Sequence, residues 1–280
     1  MRSRQKPQLV EREKKIYCGK NWLEVDIFPA FHVAGGRGRR PKQTETAPAQ
    51  RNFNSKAARK YFIRLCLANF TEDDYRLDLT YAPEFCPVTL EELQKNARNF
   101  LRRLAELCKR KELPPPKYVL VNAYGISAKT GQMVRPHHHL IISGGLTVQE
   151  VMSLWRQRGK NGRAYGYVSY VPLQMNEDTG IVGLACYLAA QPGGKKRWSS
   201  SRNLIKPEFV TNDSRYRKRE IDKLAFGEPY RAYGYECCKL RNYEAWCRKY
   251  PGWRLVEYVP EYIDTTGAWH VSLRLRREST

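Results

Sequence analysis

The stretch RPHHHLIISGG, residues 135–145, places three of the chain's five histidines side by side, immediately before a run of aliphatic residues. The aliphatic side chains of Leu140–Ile142 favour β-structure, and Pro136 is tolerated at the first position of a strand. The sequence therefore predicts a strand over residues 137–142 that begins directly after Pro136.

Alternation along this strand determines what the histidines can do. Successive side chains of a strand point to opposite faces, so His137 and His139 would share one face and His138 would occupy the other. Two imidazoles on one face, two residues apart, can bind the same metal ion. The alternative is an exposed strand whose histidines share no ligand, and spacing alone does not separate the two.

The composition indicates a globular protein with an anionic partner. The 280 residues are 41% hydrophobic, which suffices for one large domain or a medium domain with appendages. Lysine and arginine number 50 against 28 aspartates and glutamates, which gives a net charge of +22. Because such an excess destabilises the compact state by self-repulsion, it predicts a polyanionic partner, first nucleic acid and second a membrane surface.

Other classes of protein are disfavoured by the sequence. There is no stretch of about 18 apolar residues and no hydrophobic segment behind the basic start MRSRQKPQLVEREKK, which favours a cytoplasmic protein without a membrane partner. The eight cysteines are scattered without a Cys-x-x-Cys pair, and Cys66 and Cys108 lie among apolar residues, as reduced core thiols do. A disulfide framework and a structural zinc site are therefore not expected.

Hydrophobic periodicity and capping residues outline an ordered series of elements. Residues 33–60 carry glycine, proline and many basic residues without an apolar period, which predicts a flexible basic arm. The elements predicted after this arm are strand 75–81, a helix between Thr89 and the prolines 114–116, strands 117–124 and 137–142, a helix capped by Thr147 and Glu150, a strand within 164–173, and a helix from about Thr179.

Strand, helix, two strands, helix and strand is the order of a split βαβ fold. We therefore predict an α+β protein with a central antiparallel sheet and helices packed on one face. Its three parts are a basic N-terminal arm over residues 1–60, a central domain over 61–210, and a C-terminal extension over 211–280. The extension is rich in aromatic residues and includes WHVSLRLR, whose alternation predicts a strand.

A basic segment, GGKKRWSSSRNLIKP at 193–207, follows the last helix of the central domain. Cations can bind phosphates, hydroxyls can donate to phosphate oxygens, and an indole can stack on a base. The alternative is a solvated basic loop with one half-buried tryptophan, but the overall charge favours nucleic-acid contact. The candidate DNA-binding residues are Lys195, Lys196, Arg197, Trp198, Ser199, Ser200, Arg202 and Lys206.

Four stretches occur in a fixed order along the central domain: LDLTY (77–81), KYVLVNAYG (117–125), PHHHLII (136–142) and GLACYLAAQ (183–191). In this order they resemble the HUH endonucleases, specifically the rolling-circle replication-associated proteins of bacteria and phages. The segment KKRWSSSRNLIKP is similar to the one that follows the tyrosine helix in those proteins. The resemblance covers residues 60–210 and depends on the ordered set, because three histidines alone are a weak signal.

The resemblance implies a sheet of the HUH endonuclease type and a metal-dependent nickase that acts as a replication initiator. In such an enzyme His137 and His139 bind a divalent metal ion, Mn2+ or Mg2+, while Tyr187 attacks single-stranded DNA and remains joined to the 5′ phosphate. Imidazole ligands suit manganese better than magnesium, which prefers oxygen. The expected partner is single-stranded or hairpin DNA at an origin, and a host replication helicase fits as a second partner.

Eighteen tyrosines make the nucleophile a choice. Tyr187 matches the family's tyrosine in register with the basic segment downstream, and core packing on an amphipathic helix is its alternative role. Tyr165, Tyr167 and Tyr170 alternate along a predicted strand and are expected to line the sheet.

The chain departs from the family pattern at two positions. Where the family usually has an acidic residue before the histidines, this chain has Ala123, and the adjacent Asn122 is expected to point to the opposite face. Where the family tends to carry a lysine three residues after the tyrosine, this chain has Ala190. Loss of a carboxylate ligand and of a cation leaves a second function open, namely a catalytically weakened protein of the same fold that binds single-stranded DNA at an origin.

Overall fold

The protein has a mixed α+β structure with two antiparallel sheets, which confirms the predicted class. Two compact units are present: Met1–Arg64, Glu177–Thr179 and Lys206–Thr280 form the six-stranded unit, and Leu65–Asn176 and Gly180–Ile205 form the five-stranded unit. The computed structural model describes residues 8–32, 48–127, 129–157, 162–191, 197–225, 230–231 and 242–278.

The elements follow one another along the chain with a short 3-10 turn at Pro83–Phe85. In chain order they are β1 Gln8–Cys18, β2 Trp22–His32, α1 Pro48–Asn69, β3 Tyr75–Leu79, α2 Leu90–Arg110, β4 Tyr118–Ile126, β5 Met133–Ile142, α3 Val148–Ser153, β6 Val168–Pro172, α4 Val182–Ala189, β7 Ser199–Ser200, β8 Glu208–Tyr216, α5 Lys218–Leu224, β9 Tyr230–Arg231, α6 Tyr243–Lys249, β10 Trp253–Ile263 and β11 Ala268–Arg277.

The sheet of the five-stranded unit has the strand order β6-β3-β5-β4-β7, and every neighbouring pair is antiparallel. The strands predicted over 75–81, 117–124, 137–142 and within 164–173 correspond to β3, β4, β5 and β6 and are confirmed. The sequence pattern does not predict β7, a two-residue strand of the basic segment that pairs with one edge of β4.

Helices α2 and α3 begin where the sequence places their caps. At α2, Thr89 Oγ1 accepts a hydrogen bond from Glu92 N at 3.2 Å, but the Glu92 carboxylate accepts from Val88 N and does not close a reciprocal box. At α3 the box is complete, because Thr147 and Glu150 each accept from the other's backbone N–H. Both caps satisfy donors that a helix leaves unpaired at its N-terminus.

One face of the five-stranded sheet packs against α2 and α3. Its buried residues include Leu77 and Leu140 from the strands, Phe100 and Leu104 from α2, and Trp155 after α3. Each fully buried side chain of this kind contributes about 1.5–3 kcal/mol relative to an exposed one, so this face supplies a large share of the unit's stability.

Helix α4 lies on the other face of this sheet, where the ring of Tyr187 contacts that of His139. The prediction that the helices pack on one face is therefore wrong for α4. The reason lies in β4 and β5, whose residues Val119, Val121 and Ile141 are buried on this second face. A strand that is apolar on both faces needs cover on both.

Strand β5 begins at Met133, so the prediction that it begins directly after Pro136 is wrong. Its pairing with β4 shifts register between Ala123 and Gly125, which forms a bulge in this part of the ladder. Proline has no N–H to donate, and a bulge leaves a residue outside the ladder. Pro136 is therefore accommodated inside the strand.

The six-stranded unit has the strand order β8-β1-β2-β11-β10-β9, again antiparallel throughout. Helices α5 and α6 contribute Ile221 and Trp246 to a core built on one face of this sheet. The strand predicted from WHVSLRLR is confirmed as β11, which pairs with β2 and β10. The residues predicted as a separate C-terminal extension over 211–280 thus share a sheet with the N-terminal strands.

The prediction of a basic arm over residues 1–60 is wrong for 8–32, which form the β1–β2 hairpin, and for 48–60, which lie in α1. Residues 1–7 and 33–47 of this arm lie outside the described residues. Alternate residues of β2, such as Val25, are buried in the core, and charged residues lie between them, an alternation typical of a half-buried strand that the arm prediction overlooked. One of these, Glu24, is an ion-pair partner for arginines of α1 and β11.

Within the part of the chain that the structure describes, no helix is both long and apolar enough to cross a membrane. Cys66 and Cys108 are buried free thiols, as the sequence predicts. Burial raises the pKa of each of these thiols, because a thiolate is poorly solvated in an apolar interior.

Candidate metal and nucleophile site

Strand β5 presents its three histidines on alternating faces, as predicted. His138 is fully buried on the face covered by α2 and α3, where its ring lies 5.4 Å from that of Trp155. His137 and His139 lie on the opposite face, opposite Ala123 and Val121 of β4 respectively. The central position of β5 between β3 and β4 fixes this orientation, because a slip of one residue would exchange the two faces.

The structure brings the predicted metal ligands His137 and His139 together. Their Nε2 atoms lie 2.9 Å apart, and their rings are nearly perpendicular, with 4.6 Å between the centroids. Both Nε2 atoms are therefore directed toward one small region of space.

The hydrogen bonds of the other ring nitrogens fix the tautomers of this histidine pair. His137 Nδ1 lies 2.8 Å from Arg135 O, and His139 Nδ1 lies 2.6 Å from Asp78 Oδ1. A carbonyl oxygen and an ionised carboxylate can only accept, so both Nδ1 atoms must carry the hydrogen. In the neutral rings both Nε2 atoms are then bare acceptors that face each other.

Two bare acceptors 2.9 Å apart repel unless a proton or a cation lies between them. The pKa of His137 is lowered, first because burial disfavours the imidazolium and further because His139 is close. A histidine that ligates a metal almost always donates its other ring N–H to a carboxylate or a backbone carbonyl, which is the arrangement of both rings here. The two imidazole donors therefore fit a divalent cation that is intermediate between hard and soft, since such ions bind imidazole nitrogen.

Asp78 is a site residue that the sequence analysis misses. It lies opposite His139 in the β3–β5 ladder, and its second carboxylate oxygen accepts from Arg76 at 2.8 Å. Burial alone would raise the pKa of Asp78, but the hydrogen bonds and charges of His139 and Arg76 outweigh it and lower that pKa. The signal in the sequence is a carboxylate between the buried Leu77 and Leu79, on the face that the metal ligands share.

His138 belongs to a buried polar cluster and has no access to this site. Its Nε2 lies 2.8 Å from the Tyr81 hydroxyl and its Nδ1 lies 2.7 Å from Asn122 Oδ1. Burial lowers the pKa of His138 to about 3, with smaller contributions from the neighbouring histidines. Asn122 points to the face opposite the metal ligands, as predicted.

Tyr187 projects from α4 beside the histidine pair. Its ring centroid lies 5.4 Å from that of His139 at an angle of 72°, and the side chain is 51% exposed. Its helix neighbours Ala185 and Leu188 are buried instead, so the tyrosine is not one of the core residues of α4. Of the tyrosines around β6, Tyr167 is also exposed, at 69%.

Two histidines are the protein ligands that this site offers. Among the described residues, no group of three or more His, Cys, Asp or Glu side chains is placed to hold a metal ion. Asp78 uses its carboxylate on the far nitrogen of His139, and Ala123, directly opposite His137, is fully buried and has no donor. Further ligands would have to come from water or from a bound substrate.

The basic segment, described from Arg197 onward, contributes the edge strand β7 beside β4. Ser199 and Ser200 pair with Leu120 and Val119 of that strand. Of the other predicted DNA-binding residues, Trp198 is half-buried, and the exposed ones are Arg197, Arg202 and Lys206. The predicted contacts at Lys195 and Lys196 lie outside the described residues.

Comparison with known proteins adds no relative from which a role can be transferred. No protein-family model, no curated protein and no solved structure matches this chain.

Proposed function

We propose that this protein is a DNA nickase of the HUH endonuclease type that acts as a rolling-circle replication initiator. It cleaves single-stranded DNA with Tyr187 as the nucleophile and His137 and His139 as ligands of a divalent metal ion. The observation that carries this proposal is the convergence of two imidazole Nε2 atoms, 2.9 Å apart, beside the exposed ring of Tyr187. Its partner would be single-stranded or hairpin DNA at an origin.

The strand order supports the fold part of this proposal. Counted along the chain, the first four strands of the five-stranded sheet lie in the spatial order fourth, first, third, second. A helix follows the first strand and another follows the third, and this element order supports the proposed split βαβ fold. The histidine strand is the central strand between β3 and β4, and α4 carries the tyrosine onto its open face.

The histidine pair supports a metal-assisted phosphoryl transfer. A divalent cation held by His137 and His139 would polarise a phosphate oxygen and offset the charge that develops on it. Asp78 fixes the ring of His139 with its Nδ1–H bound, which keeps Nε2 available as a donor to the metal. The backbone carbonyl of Arg135 does the same for His137.

Tyr187 supplies the nucleophile. Its phenolic oxygen releases its proton to water and forms a bond to phosphorus while the bond from phosphorus to the 3′ oxygen breaks. The 3′ oxygen takes up a proton from water and leaves as a hydroxyl. The 5′ phosphate remains on the protein as a phosphotyrosine ester, which retains the energy of the broken bond and allows the strand to be resealed. The exposure of Tyr187 leaves room for a DNA strand to reach its hydroxyl.

The ligand count favours a second candidate function. With a buried Ala123 opposite His137, the site has two protein ligands, and such a site holds a metal weakly before substrate arrives. The second candidate is therefore a protein of the same fold that binds single-stranded DNA at an origin and has weakened or lost the cleavage step.

One experiment separates the two functions. The full chain is incubated with a single-stranded oligonucleotide library in Mn2+, once labelled at the 3′ end and once at the 5′ end, and resolved on a denaturing gel. Nicking predicts that the 3′ label migrates with the protein and that the 5′ label appears in shortened free strands, both of which EDTA prevents. Binding on a native gel without either product would identify the second candidate.

A further inference from the structure

A groove runs between helix α2 and the segment that follows β7, inside the five-stranded unit. We call it the arginine groove. Arg98 and Arg102 of α2 form one wall and Arg202 forms the other, while Tyr118 and Pro116 contribute to its apolar floor. Arg98 and Arg102 are four residues apart, so they project from the same side of the helix.

Hydrogen bonds hold the Arg202 wall of the arginine groove in place. Ser201 N donates to Tyr118 O at 3.0 Å, and Tyr118 N donates to Ser201 Oγ at 3.0 Å. One residue after Arg202, the Asn203 amide donates to Pro115 O at 2.8 Å. Arg202 is therefore carried by a short segment that is hydrogen-bonded on both sides, which preorganises the groove for a ligand.

The arginine groove is cationic and not neutralised by the protein. Among the described residues, no carboxylate lines it, and the side chains of Arg98 and Arg202 have no ion-pair or hydrogen-bond partner. Arg102 lies 3.7 Å from Glu106, but both side chains are more than 60% exposed, so this pair is weak. Guanidinium groups on two sides of an apolar floor match a chain of phosphates with planar groups between them.

The groove and the histidine pair lie on different faces of one sheet and are linked by its edge. The side chain of Tyr118 shares its face with Leu120, which packs with α2, whereas the histidine pair lies on the other face. Because β7 is antiparallel to β4, the chain before Ser199 runs toward the end of β4 that pairs with the histidines, and the chain after Ser200 runs to the groove. The described part of the basic segment, from Arg197 onward, thus follows this edge toward the groove.

We propose that the arginine groove is a second binding site for single-stranded DNA, which holds the sugar-phosphate backbone of a flank of the strand away from the reacting phosphate. Arg98, Arg102 and Arg202 bind successive phosphates, and the Tyr118 ring contacts a base. The choice of DNA as the ligand rests on the proposed function, whereas the need for a polyanion rests on the groove itself. The strand passes over the β7 edge between the two sites.

Salt dependence measures this contact. The probe is fluorescein-labelled dT30, titrated by fluorescence anisotropy in EDTA at 50 and 200 mM salt, so that no covalent step takes place. Each phosphate contact with single-stranded DNA contributes about 0.7 to the slope of log affinity against log salt, so three contribute about 2. For each protein, the affinity at 50 mM salt is divided by the affinity at 200 mM salt. This ratio should be about 20-fold smaller for the triple variant Arg98→Ala, Arg102→Ala, Arg202→Ala than for the wild type.

A matched triple variant controls for the loss of net charge. The variant Arg219→Ala, Lys223→Ala, Arg248→Ala also removes three exposed cations, all of them in the six-stranded unit. Arg248 lies 3.7 Å from Glu244 in the same i,i+4 geometry as Arg102 and Glu106. The control should keep the wild-type slope. Circular dichroism confirms that each variant folds. If the groove triple variant fails to fold, the single substitutions Arg98→Gln and Arg202→Gln are measured in its place, and each should lower the slope by about 0.7.

Three results would overturn the groove proposal. The groove triple variant could keep the wild-type slope of log affinity against log salt, or the slope could drop equally in both triple variants. In the third result, the groove triple variant binds dT30 as the wild type does but no longer cosediments with phosphatidylserine vesicles. The last would assign the groove to lipid headgroups. Failure of the proposed nickase is a separate outcome, since wild-type protein would then bind dT30 through the groove and yet form no covalent adduct in Mn2+.

Discussion

His138 and its two neighbours are the same residue type in three consecutive positions, yet the sheet gives them opposite roles. His138 is fully buried and both of its nitrogens are taken by Tyr81 and Asn122. His137 and His139 each keep Nε2 directed at the other. The difference shows that the side a strand residue faces, and not its identity, decides whether an imidazole is structural or available to a ligand.

The two faces also differ in what holds them together. The His138 face is a packed aromatic and aliphatic core in which the polar atoms of the histidine are satisfied by protein. The opposite face carries the ionised Asp78 and the half-exposed Tyr187. Substitutions on the first face should therefore change stability, and those on the second should change metal binding and chemistry.

The largest effect is expected at Tyr187. Tyr187→Phe removes only the hydroxyl of an exposed side chain, so DNA binding should persist while the covalent adduct falls below detection. Tyr167→Phe is the matched control, because Tyr167 is also exposed and lies near the start of β6 in the same unit. Adduct yield on a denaturing gel is the measurement. An adduct that survives in Tyr187→Phe would show that another residue is the nucleophile.

The three histidines should separate metal affinity from stability. His137→Ala and His139→Ala each remove one of two ligands and should lower Mn2+ affinity about 100-fold or more, judged against the 10–100-fold cost of losing an outer-shell partner. His138→Ala should leave Mn2+ affinity unchanged but lower the free energy of unfolding by about 3 kcal/mol. The substitution opens a cavity and leaves the buried polar groups of Tyr81 and Asn122 without their hydrogen-bond partner.

Calorimetry with Mn2+ and urea unfolding measure these two quantities. Equal losses of metal affinity at all three positions would contradict the alternation of β5.

Asp78 offers a finer test of the histidine face. Asp78→Asn removes the charge that orients and polarises His139, and it should weaken Mn2+ binding about 10- to 100-fold. Arg76→Gln is the control, since it removes the other partner of the carboxylate and leaves the bond to His139 in place. The Mn2+ affinity of both variants is measured by calorimetry. An equal loss of affinity in Asp78→Asn and Arg76→Gln, relative to the wild type, would refute the role of Asp78.

The smallest effect is a gain at Ala123. Ala123→Glu places a carboxylate opposite His137 and should raise Mn2+ affinity in the absence of DNA about tenfold, or about 1.4 kcal/mol. Ala123→Gln has the same size without the charge and controls for the strain of enlarging a fully buried residue. Calorimetry and thermal unfolding are measured together. An unchanged Mn2+ affinity in a folded Ala123→Glu variant would mean that position 123 does not reach the metal.

Local patterns predicted most of the five-stranded unit. The caps at Thr89 and Thr147 fix the beginnings of α2 and α3, and the run of alternating residues in β3 gives its inner face. The strand at β7 escaped prediction because two serines carry no hydrophobic signal, and its pairing depends on the free edge of β4. The start of β5 was misplaced because a bulge, which admits Pro136, is a property of two paired strands.

The six-stranded unit was harder to predict because its sheet joins both ends of the chain. Strand β2 pairs with β1 next to it and with β11, about 240 residues later in sequence, so no local window contains both partners. The predicted basic arm included β2, whereas Glu24 of this strand is buried between Arg64 and Arg274. Pairing at long range thus converts residues typical of a surface into interior ones.

The sequence by itself determined that His137 and His139 share a face, because the period of two is a property of any strand. It also marked Tyr187 and the basic segment as residues to examine. Only the tertiary structure decided that Asp78 orients one ring, that a carbonyl orients the other, and that both Nε2 atoms converge. The Asp78 contact joins two strands and the Arg135 contact crosses the bulge, so both depend on strand register, which the order of residues leaves open.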